Sequence, residues 1–317
     1  MRENISALTL VAAGMLAGCS NQAPATFTPA TGSNQARPMA TSMSHKHGGR
    51  VLYVGDIDGQ PGVGQILVYT AGMGDPQLIR TITNGTGRPL GLFVDSRNYL
   101  YVANFPNKYP ASVTEFKPGA SSPFFQITNF KGNPSVVAVD AHHNVFVNES
   151  YQDDGIVQEF APGSNTAERT IDTGDSGYAF APGGMAFDPM GNLMVAEVAK
   201  LQVQLFEVAP GSSVATPLGL DVNGHNLNGP GIGIDKAGNI YVASSQGQAI
   251  GVFPPGQTEP SRIISSVPAY GMTAVTPQGA IYQASGEGSV AEVAPGESSP
   301  TYTLKCQCSA QSVAVSR

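Results

Sequence analysis

Pro230-Gly-Ile-Gly-Ile-Asp235, a short turn, and then Gly238-Asn-Ile-Tyr-Val-Ala-Ser244 form the stretch that decides how this chain folds. An apolar run ends in Asp, a Gly-Asn turn follows, and a second apolar run ends in a small polar residue. Both runs are too short for helices. They read as strands buried on both faces and joined as a hairpin. Pro254-Pro-Gly256 then marks a further turn.

Working outward, the unit returns on both sides. Upstream stand Pro89-Leu-Gly-Leu-Phe-Val-Asp95 with Asn98-Tyr-Leu-Tyr-Val-Ala-Asn104, and Pro134-Ser-Val-Val-Ala-Val-Asp140 with Asn144-Val-Phe-Val-Asn-Glu149. Next comes Gly184-Met-Ala-Phe-Asp188 with Gly191-Asn-Leu-Met-Val-Ala-Glu197. Downstream is the degenerate Gly271-Met-Thr-Ala-Val-Thr276 with Gly279-Ala-Ile-Tyr-Gln-Ala-Ser285. A Pro-Gly turn follows each: Lys117-Pro-Gly119, Ala161-Pro-Gly163, Ala209-Pro-Gly211 and Ala294-Pro-Gly296. The period of roughly 40 to 48 residues is that of a four-stranded propeller blade. The ends complete the count. Gln311-Ser-Val-Ala-Val-Ser316 matches an innermost strand with no blade after it, and Arg50-Val-Leu-Tyr-Val-Gly-Asp56 a second strand with no innermost strand before it. Joined, they make one composite blade, and the expectation is an all-β, six-bladed β-propeller closed by strands from both termini.

Composition agrees. Of 317 residues only 12% are charged, 38 are Gly and 24 Pro, which suits many short strands joined by turns. A net charge of -7 with no basic stripe excludes a nucleic-acid partner as the expectation. There is no Trp, which argues against WD40 propellers and Trp-docked quinoprotein dehydrogenases.

Residues 1–18 read as a targeting segment: Arg2, an apolar run from Ile5 to Met15, and Leu16-Ala17-Gly18-Cys19. The last four residues resemble the lipobox of bacterial lipoproteins. That resemblance implies cleavage before Cys19, lipidation of its thiol, and a cell-envelope location anchored in the membrane. Ser20 after the cysteine resembles the outer-membrane sorting rule of Gram-negative lipoproteins. Residues 19–49 read as a disordered tether, with His45 and His47 either solvated or metal-binding. Residues 50–317 are the propeller domain. Cys306 and Cys308 read either as a disulfide, as an exported protein allows, or as two small residues near a strand end.

The pattern Gly-x-Ala-x-Asp-x-x-Gly-Asn-Leu-Tyr-Val-Ala resembles NHL-repeat propellers and the wider group of SMP-30/gluconolactonase and streptogramin-lyase propellers, over residues 50–317. The Asn-x-Arg-Ile run of many NHL repeats is absent. Such propellers serve binding, scaffolding and catalysis alike. SMP-30-like lactonases hold a metal with oxygen ligands.

The repeat register names a ring at the ends of the second strands: Asp56, Asn104, Glu149, Glu197, Ser244 and Ser285. Arg88, Asn133, Tyr178, His225 and Tyr270 lie in the loops entering the innermost strands, with Asp58, Asp153 and Asp154 nearby. Asp56, Asn104, Glu149 and Glu197 are a candidate Ca²⁺ or pocket set, because hard cations take six to eight oxygens. The same residue types also cap turns. His225, in Asn223-Gly-His-Asn226, is a candidate acid/base, or a plain loop histidine. Asp95, Asp140, Asp188 and Asp235 read as turn-formers, Glu115, Glu159, Glu207 and Glu292 as a structural column, and His142 and His143 as a solvated turn. The expected function is a lipid-anchored binding or scaffold module with a protein or small-molecule ligand over the channel. The alternative is a metal-dependent lactonase or lyase.

Overall fold

The computed structural model describes residues 49–59, 63–72, 75–151, 154–173, 179–199, 202–244 and 248–317. The targeting segment, Cys19, His45, His47, Asp153 and Tyr178 lie outside the described residues. The described chain is all β, in six four-stranded antiparallel sheets.

β1 (Val51–Asp56), β2 (Gln65–Thr70) and β3 (Leu78–Ile82) begin the first blade. The second holds β4 (Pro89–Val94), β5 (Leu100–Asn104), β6 (Ser112–Phe116) and β7 (Phe125–Ile127). The third holds β8 (Asn133–Val139), β9 (Val145–Tyr151), β10 (Asp154–Phe160) and β11 (Ala167–Asp172). The fourth holds β12 (Ala179–Phe187), β13 (Leu193–Ala199), β14 (Gln202–Val208) and β15 (Ala215–Pro217). The fifth holds β16 (Ile232–Ile234), β17 (Ile240–Ala243), β18 (Ala249–Phe253) and β19 (Arg262–Ser265), and the sixth β20 (Thr273–Val275), β21 (Ile281–Ala284), β22 (Ser289–Val293) and β23 (Tyr302–Lys305). β24 (Ala310–Val315) returns to pair with β1, Val54 opposite Val313, so the first and last described strands share the first blade. The innermost strands touch in the order β24, β4, β8, β12, β16, β20 and back to β24, which closes the ring.

The core explains why the second strands read as unbroken apolar runs. Side chains alternate across a strand, and each blade is covered on both faces. Leu52 and Val54 pack with Tyr282 and Val290 of the sixth blade, whereas Tyr53 between them packs with Leu92 and Val102 of the second. The same arrangement repeats around the ring, giving six inter-blade clusters. Burying each such Val or Leu contributes about 1.5–3 kcal/mol.

Local chemistry sets the turns. Asp140 Oδ1 accepts from the backbone N–H groups of His142 and Asn144, at 2.8 Å each, and its Oδ2 from Asn144 Nδ2. Asp188 and Asp235 repeat this bonding in their own turns, so the Asp column forms turns. In each Pro-Gly turn the Gly has positive φ, as at Gly163 (φ 72°), and the loop closes with a bond such as Ser164 N–H to Ala161 O. These are type II turns, whose third position requires a left-handed residue. Close approach dictates a second class of glycine. A Cβ on Gly184 would stand 2.8 Å from Ile232 N, in the backbone of the next innermost strand.

Candidate functional site

The innermost strands surround a central cavity of about 810 Å³. Its walls are mostly apolar, including Phe93, Met185, Phe187, Met272 and Val315. It runs from the middle of these strands toward their C-terminal ends, where Ser96, His142, Met190, Lys236 and Arg317 surround it. That end carries the turns between first and second strands. The expectation put a ligand at the other end, among the loops leaving the second strands. His142 therefore lines the cavity and does not belong to a remote turn. His142 itself is exposed, whereas its neighbour His143 is half-buried: its Nδ1 lies 3.2 Å from Asp95 Oδ2, which is buried.

The expected ring at the ends of the second strands is buried. Asp56, Asn104, Glu149, Glu197, Ser244 and Ser285 are all at most 4% exposed. Asp56 Oδ1 accepts from Ser309 N–H at 2.9 Å and Asp58 N–H at 3.2 Å, and Oδ2 from Gln65 Nε2 at 2.9 Å. Asn104 Oδ1 accepts from Gly87 N–H at 2.8 Å, while its Nδ2 faces Gly85 O, Ser112 Oγ and Thr114 Oγ1, each at 3.2 Å. Glu149 Oε2 accepts from Gly132 N–H at 2.7 Å. Glu197 Oε1 accepts from Thr173 Oγ1 at 3.1 Å. Ser244 Oγ donates to Asn226 O. Ser285 Oγ accepts from the N–H groups of Glu287 and Ser289 in its own hairpin.

These bonds share a pattern. Ser309, Gly87, Gly132, Thr173 and Asn226 all lie between the last strand of one blade and the innermost strand of the next. In these five blades the residue at the end of the second strand pins the loop that enters its own blade, whereas Ser285 bonds within its own hairpin. Burying a polar group requires such partners, and the loop supplies them. Asp56, Asn104, Glu149 and Glu197 thus each have separate loop partners. Among the described residues, the group of three His, Cys, Asp or Glu side chains whose ligand atoms all lie within 4.8 Å of one another is Asp221, His225 and Glu259.

Two of the ring carboxylates are electrostatically unusual. Burial pushes Glu149 up to about 7 against the opposing pull of the Gly132 and Lys131 backbone and the Lys131 charge. Burial likewise pushes Glu197 up to about 7, despite hydrogen bonds from Thr173 and Asn148. One oxygen of each, Glu149 Oε1 and Glu197 Oε2, has no hydrogen-bond partner.

His225 is outside the cavity lining. Its Nε2 lies 3.1 Å from Glu259 Oε2, and Glu259 sits in the turn between β18 and β19. Asp221, which accepts from Gly224 N–H at 2.9 Å, completes that exposed group. Of the loop residues, Arg88 stacks its guanidinium 5.9 Å from the Phe105 ring centre, and Tyr270 is half exposed. Cys306 and Cys308 are joined by a disulfide in the segment between β23 and β24. Sequence reading missed the Asp221–Glu259 pairing with His225. Glu259 lies 34 residues from His225 in a different turn, and only the Thr258-Glu-Pro260 turn signal hinted at its exposure.

No protein-family model matches the chain, and no curated protein matches it. Solved structures do. A chain of the nidogen/laminin complex aligns with a TM-score of 0.66 at 16% identity, covering 85% of this chain and 99% of that one. A candidate 6-phosphogluconolactonase from Bacteroides uniformis aligns at 0.54 with 14% identity, covering 81% of each chain. The WD40 β-propeller domain of Doa1 aligns at 0.53 with 12% identity, covering 83% of this chain and 81% of that one. At such identities the likeness lies in the fold, and the described chain is a six-bladed β-propeller closed by the pairing of β24 with β1.

Proposed function

We propose that this protein is a lipid-tethered, extracytoplasmic binding or scaffold propeller that performs no chemistry of its own. One observation carries the reading. The polar residues placed where a propeller enzyme would gather ligands are buried, and each is bonded to a separate loop. An assembled metal catalyst needs those side chains to converge with open positions. The lipid anchor in this proposal rests on Leu16-Ala17-Gly18-Cys19 and the polar stretch that follows. Its ligand is a small molecule or a protein segment seated at the central channel, whose apolar wall and volume suit a drug-sized guest.

The alternative, a metal-dependent lactonase or lyase, draws on Asp221, His225 and Glu259, which among the described residues bring together a base and a pair of carboxylates. The deciding experiment is direct. Purified protein is incubated with aldonolactones, with and without added divalent metal, and ring opening is followed by NMR. The expected rate is that of the uncatalysed reaction. Saturable turnover that is lost in His225→Ala would establish the enzyme and sink the scaffold reading. Tethering is tested separately. Cys19→Ser is expected to move the protein from the membrane to the soluble envelope fraction and to abolish fatty-acid labelling. Equal labelling of both proteins would remove the anchor from the proposal.

A further inference from the structure

Between the third and fourth blades, buried oxygens outnumber the hydrogens available to them. Glu197 Oε1 faces Thr173 Oγ1 at 3.1 Å and Asn148 Nδ2 at 3.5 Å. The same Thr173 hydroxyl lies 3.2 Å from Gly155 O, and the same Asn148 amide 3.4 Å from Gly183 O. A hydroxyl has one hydrogen and serves one of its two acceptors. Two further acceptors, Asn148 Oδ1 and Glu197 Oε2, have no partner at all. None of this is open to water: Asn148, Thr173 and Glu197 are 0%, 3% and 2% exposed. Glycine at position 155 makes the room, since a Cβ there would stand 2.5 Å from Glu197 Oε2 and 2.7 Å from Oε1.

We propose that this cluster is a binding site for one Ca²⁺ ion, held by both oxygens of Glu197, Thr173 Oγ1, Asn148 Oδ1 and the carbonyls of Gly155 and Gly183. Six oxygens, among them a bidentate carboxylate and backbone carbonyls, meet the demand of this ion. The Asn148 side chain takes part by turning its amide over. That exchange places Oδ1 where Nδ2 stands and is sterically neutral. The spacings agree with the assignment. With calcium–oxygen distances of about 2.4 Å, neighbouring ligands in an octahedral shell lie about 3.4 Å apart. The four separations here run from 3.1 to 3.5 Å, long for hydrogen bonds at the upper end but ordinary for ligands around a cation. Of the ring expected from the repeat register, only Glu197 belongs to the cluster. Asp56, Asn104 and Glu149 are bonded elsewhere. The site joins β9, β10, β12 and β13 to the loop after β11, so the ion ties the third blade to the fourth. With one carboxylate, its affinity falls in the weak range of extracellular modules, on the order of 10⁻⁴–10⁻³ M.

The test uses the whole chain, stripped with a chelator and studied at pH 8. Calorimetric titration with CaCl₂ is expected to show one ion per chain. Thermal denaturation in CaCl₂ is expected to rise by several degrees over MgCl₂ or NaCl at equal ionic strength. Glu197→Gln is expected to weaken calcium binding at least tenfold. Asn148→Asp, which adds a second carboxylate at the same place, is expected to strengthen it at least tenfold. If Glu197→Gln does not fold, Asn148→Asp decides. Four results each overturn the site: no saturable calcium binding, unchanged affinity in Glu197→Gln, unchanged or weaker affinity in Asn148→Asp, or equal stabilisation by magnesium or sodium.

Discussion

Replacing Glu115 by Gln isolates the electrostatic cost that burial imposes on this fold. Glu115 lies in β6, opposite Tyr101, and is 5% exposed. Its Oε1 has no hydrogen-bond partner. Burial, reinforced by the Asp95 carboxylate and opposed by the Arg97 guanidinium, pushes its carboxyl from 4.5 up to about 7. The folded state therefore holds a proton that the unfolded state has released between those two pH values. Stability falls wherever the folded state binds more protons, so this contribution is intact below pH 4.5 and is lost as pH rises through 7. A shift of about 2.5 units at 1.36 kcal/mol each amounts to about 3 kcal/mol. Gln resembles the protonated acid in size and lacks the titration. Urea melts of wild type and Glu115→Gln, at half-unit steps from pH 4 to 8.5, give a difference in which the groups remote from Glu115 cancel. The two proteins are expected to be alike near pH 4.5, with the variant more stable by about 3 kcal/mol at pH 8, or about 6–10 °C in Tm for a domain of this size. Stability curves that stay parallel across the range would falsify the assignment of Glu115 as a buried, strained acid.

Three further outcomes are expected. Deleting residues 309–317 removes β24, strips β1 of one of its two partners and opens the ring, so the cooperative melt of the whole domain should be lost. An unchanged transition would contradict closure through the composite blade. Gly184→Val should cost about 2–3 kcal/mol in chemical denaturation, because its Cβ meets the Ile232 backbone, which has no room to retreat. A cost near zero would mean that the neighbouring innermost strands are looser than described. Asp140→Ala removes an acceptor of three hydrogen bonds in one turn and should cost about 1–2 kcal/mol without changing the blade count, as circular dichroism and urea melts would show.

How much of this was legible in the sequence depends on the range of the interaction. The second strands announced themselves because Leu100 to Ala103 and Ile240 to Ala243 face a neighbouring blade on either side, and an apolar residue is favoured at every position. The turns were equally plain, since Asp140 and Gly163 act on atoms within four residues of themselves. Closure followed from counting: a repeat lacking its first strand at one end and a lone first strand at the other leave one solution. These are local or periodic properties, and a sequence carries them openly.

Tertiary structure alone decided the roles of the polar ring and of the histidines. A Glu or Asn at a strand end reads the same whether it holds a cation, binds a substrate or pins a loop. Asn104 bonds Gly87 and Glu149 bonds Gly132, each 17 residues back across a crossover, and Glu197 reaches Asn148 in another blade, 49 residues away. His143 against Asp95 and His225 against Glu259 are likewise meetings of separate turns. The position of the cavity, toward the turns after the innermost strands, depends on how six strands converge on one axis. Pattern and turn chemistry specify each blade from within, whereas which polar atoms are left without a hydrogen is settled only when the blades are packed side by side.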